Sequence, residues 1–257
     1  MIENTVKRTL ADGRAAVGHW ISLPSPAVAE LVAGLGPDWL VIDTEHAPTD
    51  GETVEDMIRG LGGTGVVPFV RVAGNDPVLI KKALDRGALG VVVPLVNTAE
   101  QAERAVSAAR FPPDGIRGVA GVRANRYGVD LPAYLSTWNE QVMVICQIET
   151  PDALDHVDEI AAVPGANVLF VGPNDLSANL GLFRQFDHPA FRGALDRVLA
   201  AARRHHKTAG IMATHADDAV ARLGEGFRFI SIGSDTRLLT SAVTAALEQV
   251  RSAAARV

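Results

Sequence analysis

Two acidic residues in the second half of the chain have the type and spacing to bind a cation. Glu149 occurs in Val-Ile-Cys-Gln-Ile-Glu-Thr-Pro, and Asp175 occurs in Val-Leu-Phe-Val-Gly-Pro-Asn-Asp-Leu-Ser. Each acid follows a short apolar run that is typical of a buried parallel strand, and adjacent strands would bring the two together. Paired carboxylates suit a hard divalent cation bound through oxygen. The spacing alone is equally compatible with two solvated acids at helix starts, where negative charge is favoured.

The elements that would position these acids alternate from one end of the chain to the other. Apolar runs predict eight strands, near 15–21, 38–43, 66–72, 89–95, 142–148, 167–172, 208–213 and 228–233. Ala-rich stretches predict helices near 26–34, 52–61, 76–86, 98–109, 152–161, 189–205, 216–224 and 236–254. Eight such units in about 250 residues predict an α/β chain with a single (β/α)8 TIM barrel domain over 1–257. A doubly wound open sheet would show fewer strands and a phosphate-binding glycine turn after the first one.

Composition and charge argue against several classes of protein. The 257 residues are 47% hydrophobic, and the net charge of -6 without a basic run argues against a nucleic-acid partner. Cys146 is the only cysteine, so no intramolecular disulfide can form, which fits a reducing cytoplasm. The N-terminus shows no signal-peptide pattern, and no apolar run is long enough to span a bilayer. We therefore expect a cytoplasmic protein without a membrane partner.

Two stretches do not follow the alternation of strands and helices. Residues 60–65 match the dinucleotide pattern G-x-G-x-x-G, but they follow a predicted helix and precede a strand, the reverse of the required order. We interpret them as a helix-to-strand loop. The stretch 111–141 shows no clear periodicity, and connections of this length are often lids or interface loops. A plain surface excursion is the alternative.

Polar residues cluster at the predicted carboxyl ends of the strands, where the chemistry of a barrel takes place. Arg71 is a permanent cation that can hold a carboxylate or an oxyanion, or pair with Asp43 at the neighbouring strand end. His46 can exchange a proton near neutral pH, with a structural loop histidine as the alternative. Trp20 either walls a small pocket or packs in the core.

The positions of the lysines argue against Schiff-base catalysis. The chain has four, Lys7, Lys81, Lys82 and Lys207, which fall in the N-terminal tail, in the third predicted helix and before the seventh strand. None stands at the carboxyl end of a strand, where it could condense with a carbonyl substrate. An enzyme of this sequence that stabilises a carbanion next to a carbonyl would need a metal as electron sink.

The sequence resembles the HpcH/HpaI family of class II pyruvate aldolases. The most specific match is Gln147-x-Glu149 together with Gly172-Pro-Asn-Asp-Leu-Ser177. Other matching stretches, 18–20 with 22–26, 38–48, 70–72 and 233–235, extend the resemblance through nearly the whole chain. The resemblance implies a lyase that splits 4-hydroxy-2-oxo acids reversibly into pyruvate and an aldehyde.

The resemblance also implies which residues hold the metal and the substrate. Glu149 and Asp175 would bind Mg²⁺ or Mn²⁺, with Co²⁺ as a third candidate. A 2-oxo acid would chelate this metal through a carboxylate oxygen and its keto oxygen. Gln147 would stand near the metal, backbone amides near Gly172 and Asn174 would receive the substrate carboxylate, and two side chains would line the pocket, Trp20 and Met212.

The catalytic roles follow from the same resemblance. Arg71 would stabilise the enolate oxygen as an oxyanion donor does, and His46 would act as base on the 4-hydroxyl group. Asp85 matches the acid that partners this histidine, and Asp43 would order the network around the metal or the histidine.

The resemblance further implies a homo-oligomer, because members of this family assemble as hexamers in which the last helix packs on a neighbouring subunit. The last predicted helix has an apolar face that is compatible with such an exchange and equally with packing on its own barrel: Leu239, Val243, Leu247 and Val250.

Three functions fit these residues. The first is the metal-dependent aldolase acting on a small 2-oxo acid and an aldehyde. The second keeps the enolate chemistry but decarboxylates oxaloacetate or cleaves an acyl-CoA, although no basic cluster for the nucleotide of CoA is evident. The third is a non-catalytic metal-binding barrel, whose sign would be the loss of His46 or Arg71, and both residues are present.

Overall fold

A computed structural model, which describes residues 3–255, shows a closed barrel of eight parallel strands in sequential order. The strands are β1 (Ala16–Ile21), β2 (Trp39–Asp43), β3 (Val67–Arg71), β4 (Gly90–Val93), β5 (Met143–Ile148), β6 (Ala166–Val171), β7 (Thr208–Met212) and β8 (Phe229–Ser234). Strand β8 pairs with β1 and closes the barrel. The predicted (β/α)8 fold is confirmed, and the eight predicted strands match to within two residues at each end.

Helices surround the barrel and connect its strands. They are α1 (Thr5–Ala11), α2 (Pro26–Ala33), α3 (Gly51–Gly60), α4 (Pro77–Asp85), α5 (Ala99–Ala109), α6 (Leu131–Gln141), α7 (Pro151–Asp155), α8 (Val157–Ala162), α9 (Pro173–Asn179), α10 (Pro189–Arg204), α11 (Ala216–Glu225) and α12 (Asp235–Ala254), with a 3-10 helix at Arg123–Gly128. The helix predicted over 152–161 is in fact two helices that meet at His156.

Three helices were not predicted, and each lacks a strong local signal. Helix α1 is only seven residues long and starts where the Asn4 side chain accepts from the Lys7 amide. Helix α9 begins at Pro173, the second residue of the Gly-Pro pair that marks the predicted strand end. Helix α6 buries only Tyr134 and Trp138, so its apolar stripe is too narrow to produce a clear period.

Aromatic side chains fill the inside of the barrel. The rings of Trp39 and Phe229 stack with centroids 4.0 Å apart, and Phe69 meets Phe229 edge-on at 5.8 Å. Gly18 pairs with Trp39 in the strand register, and a Cβ at residue 18 would collide with the indole ring. Because these side chains fill the inside of the barrel, we expect the catalytic site at one end of the barrel and not within it.

The stretch 111–141 is anchored to the flank of the barrel by a buried arginine. The guanidinium of Arg117 lies 4.6 Å from the ring centroid of Phe111 and 4.4 Å from that of Trp138, and Tyr134 completes the surrounding box. Its Nη2 donates to Asp85 at the end of α4 at 2.8 Å. The stretch is therefore tied to the α4 side of the barrel.

Helix α12 differs from the other helices in what it buries. Only Asp235 of its twenty residues is buried, and its apolar side chains are 47–67% exposed: Leu238, Leu239, Val243, Leu247 and Val250. An apolar face of this length on a water-exposed helix is a feature of interaction surfaces. Within residues 3–255, no helix combines the length and apolarity that crossing a membrane requires.

Candidate active site

A polar cavity of about 400 Å³ opens at the carboxyl ends of the strands. Its walls come from the ends of seven strands, all except β4, and from the loops and first helical turns that follow them. They include all the predicted site residues except Asp85 and Glu149, together with five residues that were not predicted: Ser22, Phe170, Pro173, Ser234 and Thr236. Since the carboxyl end of a barrel is where catalytic side chains lie, this cavity is the candidate active site.

Asp43 and Arg71 form a doubly hydrogen-bonded ion pair in the cavity. They are the last residues of β2 and β3 and stand side by side in the strand register. The Arg71 Nε donates to Asp43 Oδ1 at 2.9 Å, and its Nη2 donates to Oδ2 at 2.6 Å. This two-bond arrangement fits the planar guanidinium and holds it in one orientation. Asp43 Oδ1 also accepts from the amides of Glu45 and His46, so it shapes the loop after β2 as well.

Arg71 has two further contacts that sequence reasoning did not identify. Its Nη1 lies 2.9 Å from Glu45 Oε2, and its Cζ stands 5.2 Å from the centroid of the Trp20 ring. Burial raises the pKa of the Glu45 carboxyl, and the Arg71 charge partly opposes that rise. Trp20 is thus a wall of the cavity and part of the core at once, since its ring also stacks on Phe170 at 5.4 Å.

Glu149 is buried at the end of β5 and is oriented by two donors. The Leu95 amide donates to Oε1 at 2.8 Å, and the Gln147 side-chain amide donates to Oε2 at 2.6 Å. Leu95 has a φ of 52°, a left-handed conformation that costs a non-glycine residue energy and that points its amide at the carboxylate. Burial raises the pKa of Glu149, the Leu95 hydrogen bond opposes the rise, and the nearby Asp175 carboxylate adds to it.

The carboxylates that would hold a cation converge over Gly172. A Cβ built there would lie 2.9 Å from Glu149 Oε2, 3.6 Å from Gln147 Nε2 and 3.7 Å from Asp175 Oδ2. Glycine at this position therefore leaves open a space that two carboxylates face. Within residues 3–255, no three His, Cys, Asp or Glu side chains gather as a metal cage.

These residues fit a hard cation that keeps several of its positions for water or substrate. Mg²⁺ is commonly bound by one or two protein carboxylates and keeps several of its waters, because it dehydrates reluctantly. The Gln147 Oε1 atom is buried without a hydrogen-bond partner. An acceptor in that state costs free energy unless a water or another donor bonds to it, which favours a hydrated ligand at this place.

His46 and Asp85 are not neighbours within the chain. The His46 side chain lines the cavity, is 67% exposed and has the Glu45 carboxylate as its nearest acid, with Nε2 to Oε1 at 3.9 Å. Asp85 instead holds Arg117 on the flank of the barrel. Within one chain the acid beside His46 is therefore Glu45, and the partnership of His46 with Asp85 stays a prediction.

The predicted substrate-binding residues lie together. Gly172 and Asn174 stand at the start of α9, and Met212 at the end of β7 faces them across the cavity. Asp235 belongs to the stretch 233–235 that resembles the family, and no role was predicted for it. Its two carboxylate oxygens accept from the amides of Ser22 and Leu23 at 2.9 Å, which ties the loop after β1 to the start of α12.

A closed parallel barrel with a polar cavity at the carboxyl ends of its strands defines the protein as an enzyme of the (β/α)8 class. Residues 16–242 match the family model described as HpcH/HpaI aldolase/citrate lyase. The chain belongs to this family, as the sequence resemblance predicted, and it is a carbon-carbon lyase.

Similar proteins of known sequence or structure agree with this assignment. The chain is 41% identical over 233 residues to the 5-keto-4-deoxy-D-glucarate aldolase of Salmonella paratyphi C, covering 90% of this chain and 91% of that one. It is 40% identical over 240 residues to the enzyme of the same name from Citrobacter koseri, covering 93% of each chain. The crystal structure of an HpcH/HpaI aldolase/citrate lyase family protein from Burkholderia cenocepacia has a TM-score of 0.92 at 41% identity, covering 96% of this chain and 99% of that one.

Proposed function

We propose that the enzyme is a divalent-metal-dependent pyruvate aldolase that cleaves 4-hydroxy-2-oxo acids into pyruvate and an aldehyde. The observation that carries this proposal is the space over Gly172, which Glu149, Asp175 and Gln147 face within 3.7 Å of one point. Arg71 lines the same cavity, and none of the four lysines, all of which lie within the described residues 3–255, does. The negative charge that develops on the substrate carbonyl would therefore be stabilised by a bound cation and by Arg71, and not by a Schiff base.

The metal would be held by Glu149 and Asp175 and oriented by the donors around them. When bound, a divalent cation would supply the Lewis acidity that withdraws electrons from the keto group of a 2-oxo acid. The Leu95 amide and Gln147 keep the Glu149 carboxylate in one orientation. Such supporting hydrogen bonds set the geometry and the basicity of the ligand.

Arg71 would stabilise the enolate oxygen. Its guanidinium has five N–H donors, of which two bond Asp43 and one faces Glu45. Two donors are therefore left for an oxyanion in the cavity. Because Asp43 already holds the guanidinium in place, little reorganisation is needed when negative charge develops on the substrate.

His46 would take the proton of the 4-hydroxyl group during cleavage. As that proton leaves, the bond between C3 and C4 of the substrate breaks, its electron pair forms the pyruvate enolate, and the aldehyde departs. The enolate carbon then accepts a proton to give pyruvate. The imidazole is exposed at the rim of the cavity, where the aldehyde end of the substrate would lie, and its Nε2 is 3.9 Å from the Glu45 carboxylate.

The substrate is proposed from the relatives that share 40–41% of the sequence, both of which carry the name 5-keto-4-deoxy-D-glucarate aldolase. Cleavage of such an acid beside its CH2 group would give pyruvate and a three-carbon hydroxy-aldehyde that carries a carboxylate. Three hydroxyl side chains that line the same cavity as His46 would hydrogen-bond the polar groups of that aldehyde: Ser22, Ser234 and Thr236.

Pyruvate release is the direct test. The purified enzyme is incubated with 5-keto-4-deoxy-D-glucarate and with 4-hydroxy-2-oxo acids that lack the distal carboxylate, each with and without EDTA, and pyruvate is measured by a coupled dehydrogenase. We expect release that EDTA abolishes and that Mg²⁺ or Mn²⁺ restores. Full activity after exhaustive chelation, or covalent trapping of substrate by borohydride, would contradict the metal-dependent mechanism.

We also propose that the enzyme assembles through α12, with the hexamer that the resemblance implies as the expected state. The exposed apolar face of α12 has a counterpart in an apolar groove of about 330 Å³ between β1, the end of α2 and the residues around Ile232. A second copy would lay its α12 in this groove. Replacing Leu239 and Leu247 by Glu should yield smaller species in light scattering, and Glu248→Gln on the same helix should not. An unchanged mass for the double variant would refute this assembly.

A further inference from the structure

Three positive charges converge at the end of the barrel opposite the candidate active site. A cavity of about 280 Å³ lies below the start of β5, β6 and β7. Two of its walls are Lys7 of α1 and Lys207 at the start of β7, and the others include Asn167, His206 and Thr208. The third charge is that of Arg110, which follows α5 and acts electrostatically on both lysines.

The geometry around Arg110 keeps its charge at this place. Gly165, in the loop before β6, has a φ of 97°, and a Cβ there would lie 2.8 Å from Nη2 of Arg110. Glycine thus lets the guanidinium lie against the backbone of that loop. Among the residues that the structure describes, no carboxylate forms an ion pair with Lys7, Arg110 or Lys207.

The ammonium groups of Lys7 and Lys207 have more N–H donors than their hydrogen bonds use. The Lys7 Nζ donates to the carbonyl oxygens of Glu140 at 2.6 Å and Val142 at 3.0 Å, and the Lys207 Nζ donates to that of Val163 at 3.0 Å. An ammonium group carries three N–H donors. One donor of Lys7 and two of Lys207 are therefore left beside the cavity after these bonds are made.

Keeping these charges together is electrostatically unfavourable. Burial, followed by the charge of Arg110, lowers the pKa of Lys7 from 10.5 to about 8, and only Glu140 acts in the opposite direction. Burial also lowers the pKa of Lys207, and Arg110 contributes to that lowering. A bound anion would remove both the repulsion between the cations and the loss of hydration that burial imposes.

We propose that this cavity binds a compact oxyanion of charge minus two, held by Lys7 and Lys207 and attracted by Arg110. The cavity has several times the roughly 30 Å³ that one water molecule occupies in the liquid, which suits an ion of sulfate or phosphate size. The ligand chemistry is that of inorganic phosphate, of a phosphate ester or of a short dicarboxylate. Binding of the anion would link α1 to the strands β5 and β7, and it would stabilise the end of the barrel opposite the candidate active site.

The test uses the whole enzyme with lysines labelled by ¹³C and ¹⁵N. Four lysines give four sets of side-chain signals, and substitutions to Gln assign them. Sodium sulfate is titrated at pH 7.5 against sodium chloride of equal ionic strength, because sulfate keeps its double charge over the pH range of the lysines. We expect the signals of Lys7 and Lys207 to shift together and to saturate, while those of Lys81 and Lys82 do not move. The apparent pKa of Lys7 should rise by about one pH unit at saturation.

Variants and other anions complete the test. Lys207→Gln should weaken sulfate binding, read from the Lys7 signals, by about tenfold, and Lys82→Gln should leave it unchanged. Lys7→Gln, read from the Lys207 signals, gives the same comparison if Lys207→Gln fails to fold. Titrations with phosphate, a phosphate ester and malonate then separate the three sources of the ligand. Shifts that do not saturate, or that chloride reproduces, would overturn the proposal.

Discussion

Arg71 and Asp43 join the ends of β3 and β2 through two parallel hydrogen bonds of 2.9 and 2.6 Å. Neighbouring positions in the strand register bring these side chains together, so the barrel itself supplies the alignment. The same carboxylate accepts the amides of residues 45 and 46. A single buried acid therefore orients the proposed oxyanion donor and the loop that carries the proposed base.

Replacing Arg71 by Ala should suppress every reaction that passes through the pyruvate enolate. The expected loss for one oxyanion donor is about 10²–10³ in rate. Exchange of the pyruvate methyl protons with deuterium, followed by NMR with saturating Mg²⁺, measures the enolate step without an aldehyde. Arg71→Lys keeps the charge but loses the planar fork that Asp43 binds, so it should recover only part of the rate. Wild-type exchange in Arg71→Ala would show that the guanidinium does not act on the enolate.

Replacing His46 by Ala should impair aldol cleavage selectively. Loss of the base at the 4-hydroxyl group is expected to lower the cleavage rate by about 10²–10⁴. Decarboxylation of oxaloacetate forms the same enolate but removes no hydroxyl proton, so this activity should be retained to a much larger degree. The measurement is the ratio of the two rates in each variant with saturating metal. Equal losses in both reactions would rule out a role specific to the 4-hydroxyl.

Replacing Gly172 by Ala should weaken cation binding without unfolding the barrel. The added Cβ would stand 2.9 Å from Glu149 Oε2 and would push the carboxylate away from Asp175. Disturbing the support of a metal ligand typically lowers affinity by about 10–100-fold. Calorimetric titration with Mn²⁺ measures the affinity, and Gly193→Ala, where a Cβ meets no neighbour, is the matched control. Glu149→Gln and Asp175→Asn should weaken binding further. Unchanged affinity in all three site variants would refute the ligand assignment.

Replacing the buried Arg117 by Ala should lower the free energy of unfolding by about 2–5 kcal/mol, as truncating a large buried side chain usually does. The variant loses both the bond to Asp85 and the packing between Phe111 and Trp138. Arg117→Met fills the aromatic box without a charge, and the Asp85 carboxylate it leaves is partly exposed, so the loss should be smaller. Denaturant unfolding of both variants measures the difference. An equal loss in both would mean that packing in the box contributes little.

The contribution of Lys7 to the free energy of unfolding should increase as the pH rises from about 8 to 10.5. Below pH 8 the lysine carries its proton in both the folded and the unfolded state, so it contributes no pH dependence. Between these values the folded state has released the proton and the unfolded state still holds it, so the free energy of unfolding increases with pH. Unfolding of wild type and Lys7→Gln across this range, without sulfate, isolates the contribution. A difference between the two proteins that stays constant from pH 7 to 10.5 would contradict the lowered pKa.

Much of the fold follows from local sequence patterns. Apolar runs of strand length predicted all eight strands, because a strand buried on both faces needs apolar residues throughout. Parallel order then placed Asp43 beside Arg71 and Glu149 near Asp175, since the carboxyl ends of all strands meet at one rim. The cavity residues were therefore largely predictable from where each strand ends.

Other contacts depend on how distant segments return to the barrel. Glu45 is one residue away from the predicted base, yet its ion pair with Arg71 depends on the turn that Asp43 organises. The amide of Leu95 reaches Glu149 only because a left-handed residue redirects the chain after β4. No periodicity in the sequence marks such a turn, because a single backbone angle decides it.

The sequence by itself determined the order of strands and helices and the side chains that stand at the rim of the barrel. The tertiary structure alone decided that Asp85 forms an ion pair with Arg117, and that Lys7 and Lys207 line one cavity below the strands. The physical reason is the distance along the chain between the residues that determine each feature. Strands and helices follow from neighbouring residues, whereas charges from separate loops come together only when the closed barrel brings those loops to the same end.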